Sequence, residues 1–142
     1  IRIATSMAQG LSLGLNIPVL ALSSLLVLAY GARRQFEHTE IFPCIDARRE
    51  QIYWAHYSFS DNDPASEPQV LVEDCLTKST EMLSAMPADG LVYGSGVDSH
   101  IDADSISYPQ ARDALQIATL RFKRGLAAPP GDAQAVYFRR GL

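Results

Sequence analysis

"IDARREQIYWAHY", residues 45–57, sets Asp46, Arg48, Arg49 and Glu50 within five consecutive positions and then alternates apolar and polar residues around Trp54. Alternation with a period of two marks a β-strand. It puts Ile52, Trp54, His56 and Ser58 on one face of residues 51–59 and Tyr53, Ala55, Tyr57 and Phe59 on the other. Residues 41–45 also have strand composition, and the short polar link Asp46-Ala47-Arg48-Arg49-Glu50 makes the two strands a hairpin. The charge cluster then has two readings. As a catalytic acid, Asp46 would need a tuned pKa and a second acid or a metal beside it. Two arginines within three residues would instead keep it ionised, and charges at a hairpin tip are usually solvated, which makes the cluster structural or a docking surface.

Working outward, residues 69–74 ("QVLVED") can add a third antiparallel strand after a turn-rich loop, "SDNDPASEP". Residues 77–86 have helical spacing at Met82, Leu83 and Met86, with Thr77 at their start. Residues 91–93 form a strand that runs into Gly94-Ser95-Gly96, and residues 110–124 form an amphipathic helix with Ala111, Ala114, Leu115, Ala118 and Phe122 on its apolar face. Gly125 suits the cap of that helix, and "AVYFRRGL" reads as a last short strand. Hairpin, strand, helix, strand and helix in this order suggest an actin-like lobe.

The first quarter differs from the rest, because no charged residue occurs from Ile3 to Ala32 and Arg33-Arg34 follows. A membrane span with a positive flank is one reading. Asn16, Pro18, Thr5, Gln9, serines and glycines interrupt the run, and its periodicity changes along its length, which favours two buried helices flanking a buried strand. Ile3, Met7, Leu11 and Leu15 set out the first helix, residues 3–15. "VLALS", residues 19–23, has strand length, and Ser23 or Ser24 can cap a helix running from Leu25 to about Arg34. A helix with no charged face is covered on more than one side, one of which a partner chain can supply. Helical sequence starting almost at Ile1 with no capping residue ahead suggests residues missing upstream.

At 142 residues and 47% hydrophobic, the chain can bury one sizeable core. Its net charge of -4 and lack of a basic run argue against nucleic-acid binding by this chain alone. Cys44 and Cys75 have no CxxC spacing and fit free thiols in a reducing, cytoplasmic compartment. His38, His56 and His100 form no HxxxH, HExxH or Cys/His cluster, so no metal site is expected. No GxSxG nucleophile elbow occurs. Gly94-Ser95-Gly96 is either a tight turn or a loop whose backbone approaches a ligand phosphate, and one GxG does not choose between them.

Taken in order, "RIATSMAQGLSLGLNIPVLALSSL", "IDARREQIYWAHY", "GSG" and "AVYFRR" resemble the TsaB (YeaZ) family of bacterial tRNA-modification proteins over essentially the whole chain. The resemblance implies an α/β, actin-like (ASKHA, ribonuclease H-like) fold, with residues 1–36 as the remnant of a truncated first lobe and 37–142 as the second. It implies a non-catalytic scaffold subunit that pairs with TsaD and TsaE homologues to attach a threonylcarbamoyl group to the adenosine next to the tRNA anticodon. On the same ground, tRNA is met only through the complex, ATP and metal belong to the partner subunits, this chain alone binds no cofactor, and a homodimer can form in isolation. The uncharged first helix matches a family dimerisation helix, which makes Met7, Gly10, Leu11 and Gly14 the expected partner interface. Asp46, Arg48, Arg49, Gly94 and Gly96 are expected to form a docking or vestigial ligand loop, because bulky side chains replace the glycine hairpin of actin-like ATPases. A glycoprotease-like peptidase and a small actin-like ATP-binding protein are the alternatives.

Overall fold

The computed structural model describes residues 2–61, 66–97, 108–136 and 138. At its centre, β1 (Glu40–Asp46) and β2 (Gln51–Ser58) form the expected antiparallel hairpin, with Cys44 opposite Trp54 and Asp46 opposite Ile52. The turn is closed by Arg48, Arg49 and Glu50, all at left-handed φ of 62°, 56° and 60°. L-residues enter that region at a cost of about 1–2 kcal/mol each, so the tip depends on the strands and loop that hold it. β3 (Gln69–Lys78) pairs antiparallel with β2, and β4 (Leu91–Gly94) pairs parallel with β1, giving a mixed sheet of order β3-β2-β1-β4.

The period-two reading of β2 holds on both faces. Ala55, Tyr57 and Phe59 join Ile41 under a helix, α2 (Ser24–Phe36), in a core that includes Leu25, Leu28, Ala29 and Ala32. Ile52 and Trp54 join Phe42, Cys44 and Val92 on the other face, closed by Met82 of α3 (Ser79–Ala85). Because α2 lies between the sheet and a further helix, α4 (Ala111–Lys123), every residue from Leu25 to Ala32 is buried, which accounts for its lack of charge. Ser23 caps α2, its hydroxyl oxygen accepting from the N–H groups of Leu25 (3.1 Å) and Leu26 (3.4 Å), and left-handed Glu37 ends it. Arg34 crosses to α4 and grips buried Asp113 through Nε and a terminal nitrogen, at 2.8 and 3.2 Å.

Four expectations are corrected. Residues 19–23 form no strand: Val19 makes an isolated antiparallel bridge with Ala128, and an extended segment becomes a strand only where neighbours continue the ladder. Thr77 does not open a helix, since β3 continues to Lys78 opposite Gln51 and the Thr77 hydroxyl accepts the Trp54 indole N–H at 2.8 Å. On α4 the buried positions are Asp113 and Ile117, while Leu115 and Phe122 of the expected apolar face are exposed. Ala135 and Val136 lie in no strand, and Tyr137 and residues 139–142 are outside the described residues.

Candidate functional site

Two regions hold the residues singled out by sequence, and they are built on opposite principles. At the hairpin end of the sheet, Asp46, Arg48 and Arg49 stand beside Gly94 and Gly96. The Asp46 carboxylate accepts the Arg48 N–H at 2.7 Å, so it shapes the turn. Ser95 ties the loop after β4 to the hairpin base: its N–H donates to the Cys44 carbonyl at 2.9 Å, and its hydroxyl accepts the Asp46 N–H at 3.1 Å. A Cβ at Gly94 would lie 1.9 Å from the Cys44 carbonyl oxygen, and one at Gly96 would lie 2.9 Å from the Asp46 Cα. Both glycines also have positive φ, 136° and 93°. Close approach of the loop to β1 therefore accounts for the two glycines. Arg48, Arg49 and Glu50 are exposed at the tip, and among the described residues neither guanidinium forms an ion pair.

The second region is α1 (Arg2–Leu15), which was expected as a buried helix but is buried only at Ser12, its amphipathicity inverted. Thr5, Gln9 and Ser12, spaced four and three apart, turn toward the body. The Gln9 amide donates to the Ala133 carbonyl at 2.9 Å, and the Ser12 hydroxyl donates to the Ile17 carbonyl. Within the described residues α1 rests chiefly on the short 3-10 turn Pro130–Asp132. Its outward side carries Ile3, Met7, Leu11 and Leu15, with Met7 63% and Leu11 61% exposed, and Gly10 and Gly14 open to space. All four expected interface residues thus share one uncovered apolar surface.

Other chemistry-bearing groups are held in structural contacts. His56 Nε2 lies 2.6 Å from Glu40 Oε2, its ring stacks on Phe42 at 4.0 Å, and Ser58 donates to the second Glu40 oxygen. The acid thus lies between serine and histidine, whereas an activated serine needs the imidazole next to its hydroxyl. Burial pushes the Cys44 thiol up to about 11 and also raises that of Cys75, so both stay protonated at neutral pH. Tyr57 donates to Asp74 at 2.8 Å, and burial, reinforced by that carboxylate, raises its pKa. Among the described residues no three His, Cys, Asp or Glu side chains are grouped to hold a metal, and no helix is long and apolar enough to cross a membrane. His100 lies outside the described residues. Sequence reasoning missed Ser95 and buried Asp113. Asp113 carried one signal, its place four residues before Ile117.

The family model for TsaD, tRNA N6-adenosine threonylcarbamoyltransferase, matches residues 1–117. The tRNA threonylcarbamoyladenosine biosynthesis protein TsaB of Escherichia coli K12 is 28% identical over 154 residues, an alignment covering 100% of this chain and 66% of that protein. The protein of the same description from Buchnera aphidicola of Acyrthosiphon pisum is 39% identical over 62 residues, covering 44% of this chain and 28% of the relative. A Pseudomonas aeruginosa crystal structure, described as an uncharacterized protein with similarity to peptidase YEAZ, superposes with a TM-score of 0.75 at 25% identity, over 97% of this chain and 67% of that one. The chain thus spans just under two thirds of its Escherichia coli relative, and its mixed α/β sheet with packed helices is the fold of that crystal structure.

Proposed function

Because the chain belongs to the TsaD family, and within it to the members named TsaB or YeaZ, we propose that it is a non-catalytic scaffold subunit of tRNA threonylcarbamoylation. It pairs with a TsaD homologue, and with TsaE, for modification of the adenosine next to the anticodon. Residues 1–36 belong to the first actin-like lobe and 37–142 to the second. The transfer chemistry, with its ATP and metal, resides on the partner subunits, and tRNA is met only in the assembly.

The observation that carries this reading is the inverted α1. Its polar residues face the body, and Met7, Gly10, Leu11 and Gly14 face outward. Glycines there let a partner helix approach closely, and Met7 and Leu11 supply the apolar contact, each side chain worth about 1.5–3 kcal/mol when fully covered. The hairpin tip with Asp46, Arg48 and Arg49 is a second docking element, presented rigidly by Ser95 and the two glycines beneath it. Threonylcarbamoylation of tRNA by the TsaD and TsaE homologues from the same source, assayed with and without this protein, tests the reading. Activity is expected to depend on it; full activity without it would overturn the scaffold role.

A further inference from the structure

A cleft of about 490 Å³ opens at the C-terminal end of α2, lined by Tyr30, Arg33, Arg34, Glu37, Asp61 and Gln116. That volume suits a small organic molecule. It is separate from both regions described above.

The two arginines differ in how they are satisfied. Arg34 is held by Asp113, and their hydrogen bond pushes its guanidinium up from the ordinary value. Arg33 is more deeply placed, its side chain only 10% exposed, yet among the described residues its one carboxylate neighbour is 3.5 Å away on Asp61, a side chain 80% exposed. The Ser60 carbonyl stands at 3.4 Å, and only the contact with the Glu37 carbonyl is short. A desolvated cation is stable when a carboxylate and good hydrogen bonds surround it. Among the described residues, the five N–H donors of Arg33 meet one close acceptor and two distant ones.

We propose that this cleft binds a small molecule through a carboxylate or phosphate group held by Arg33. The planar guanidinium fork matches either oxyanion with two parallel hydrogen bonds. The Tyr30 ring and the Gln116 amide line the space for the remainder of the ligand. Asp61 competes for the same guanidinium from the solvent side, which predicts an effect opposite in sign to loss of the arginine.

Isothermal titration of the protein with inorganic phosphate, and separately with succinate, is expected to show one saturable site for at least one anion. The tighter of the two identifies the anionic group. Arg33→Gln should weaken it by about tenfold or more, the scale of one charge-assisted pair. Two lining substitutions leave the Arg33 contacts to the helix end in place should that variant not fold. Gln116→Glu introduces a like charge and should weaken binding about threefold, and Asp61→Asn removes the competitor and should tighten it about threefold. Failure of both anions to saturate at millimolar concentration, or affinities indifferent to the substitutions, would overturn the proposal. Neither result depends on the scaffold reading, since the titration needs no partner subunit.

Discussion

α1 and α2 come from one uncharged stretch of sequence and meet opposite fates. α2 lies between sheet and α4 with every residue from Leu25 to Ala32 buried, whereas α1 turns Thr5, Gln9 and Ser12 inward and leaves its apolar side uncovered. Absence of charge therefore means two things in one chain. In α2 it records burial within the fold; in α1 it records a surface that the described fold does not cover.

The contrast is most sharply broken in α2. Leu28→Ala removes a side chain 1% exposed in the larger core and should cost about 2–5 kcal/mol in urea unfolding, while Leu11→Ala on α1 should change stability by less than about 0.5 kcal/mol. Comparable losses from the two would mean that α1 is covered within this fold. A second comparison sets the hairpin corner against α1, because each carries two glycines. Gly96→Ala must accommodate a Cβ 2.9 Å from the Asp46 backbone at positive φ and should cost about 1–3 kcal/mol, whereas Gly10→Ala, with nothing nearby, should be neutral or stabilise the helix by up to about 1 kcal/mol. Equal costs at the two would remove the distinction between glycines needed by the fold and glycines left open.

A further effect concerns pH. Burial raises the folded-state Cys44 pKa from an ordinary 9.0 to about 11. The native state therefore holds this proton more tightly than the unfolded chain. The resulting stabilisation is fully present below pH 9.0 and is lost as pH rises toward about 11. Urea midpoints measured across that interval should fall, and Cys44→Ala should flatten the decline. An identical decline in the variant would place its origin elsewhere.

Much of the fold was legible where local pattern and tertiary environment agree. The alternation about Trp54 gave both faces of β2 because each face has its own core, and Ser23 gave the start of α2 because its cap is a local hydrogen bond. Legibility failed where distant residues decide. Residues 19–23 look like a strand, yet they meet only Ala128, and Thr77 looks like a helix start, yet cross-strand pairing and the Trp54 indole hold it extended. On α4 the alanines fit several faces equally, and a buried Asp113 reads as a solvated residue unless Arg34 is known to reach it. That Met7, Gly10, Leu11 and Gly14 share one side of α1 was legible from helical spacing, and the described fold leaves that side exposed. The brace formed by Ser95 was not, because it spans from one strand end to another.

The most direct test of the central claim is co-purification of this protein with a TsaD homologue from the same source, comparing the unaltered chain with Met7→Lys and Leu11→Lys and recording thermal unfolding of each alone. Both substitutions are expected to abolish the complex while leaving the unfolding temperature of the isolated protein essentially unchanged, because the described fold leaves both side chains exposed. Undiminished co-purification of both variants would contradict it.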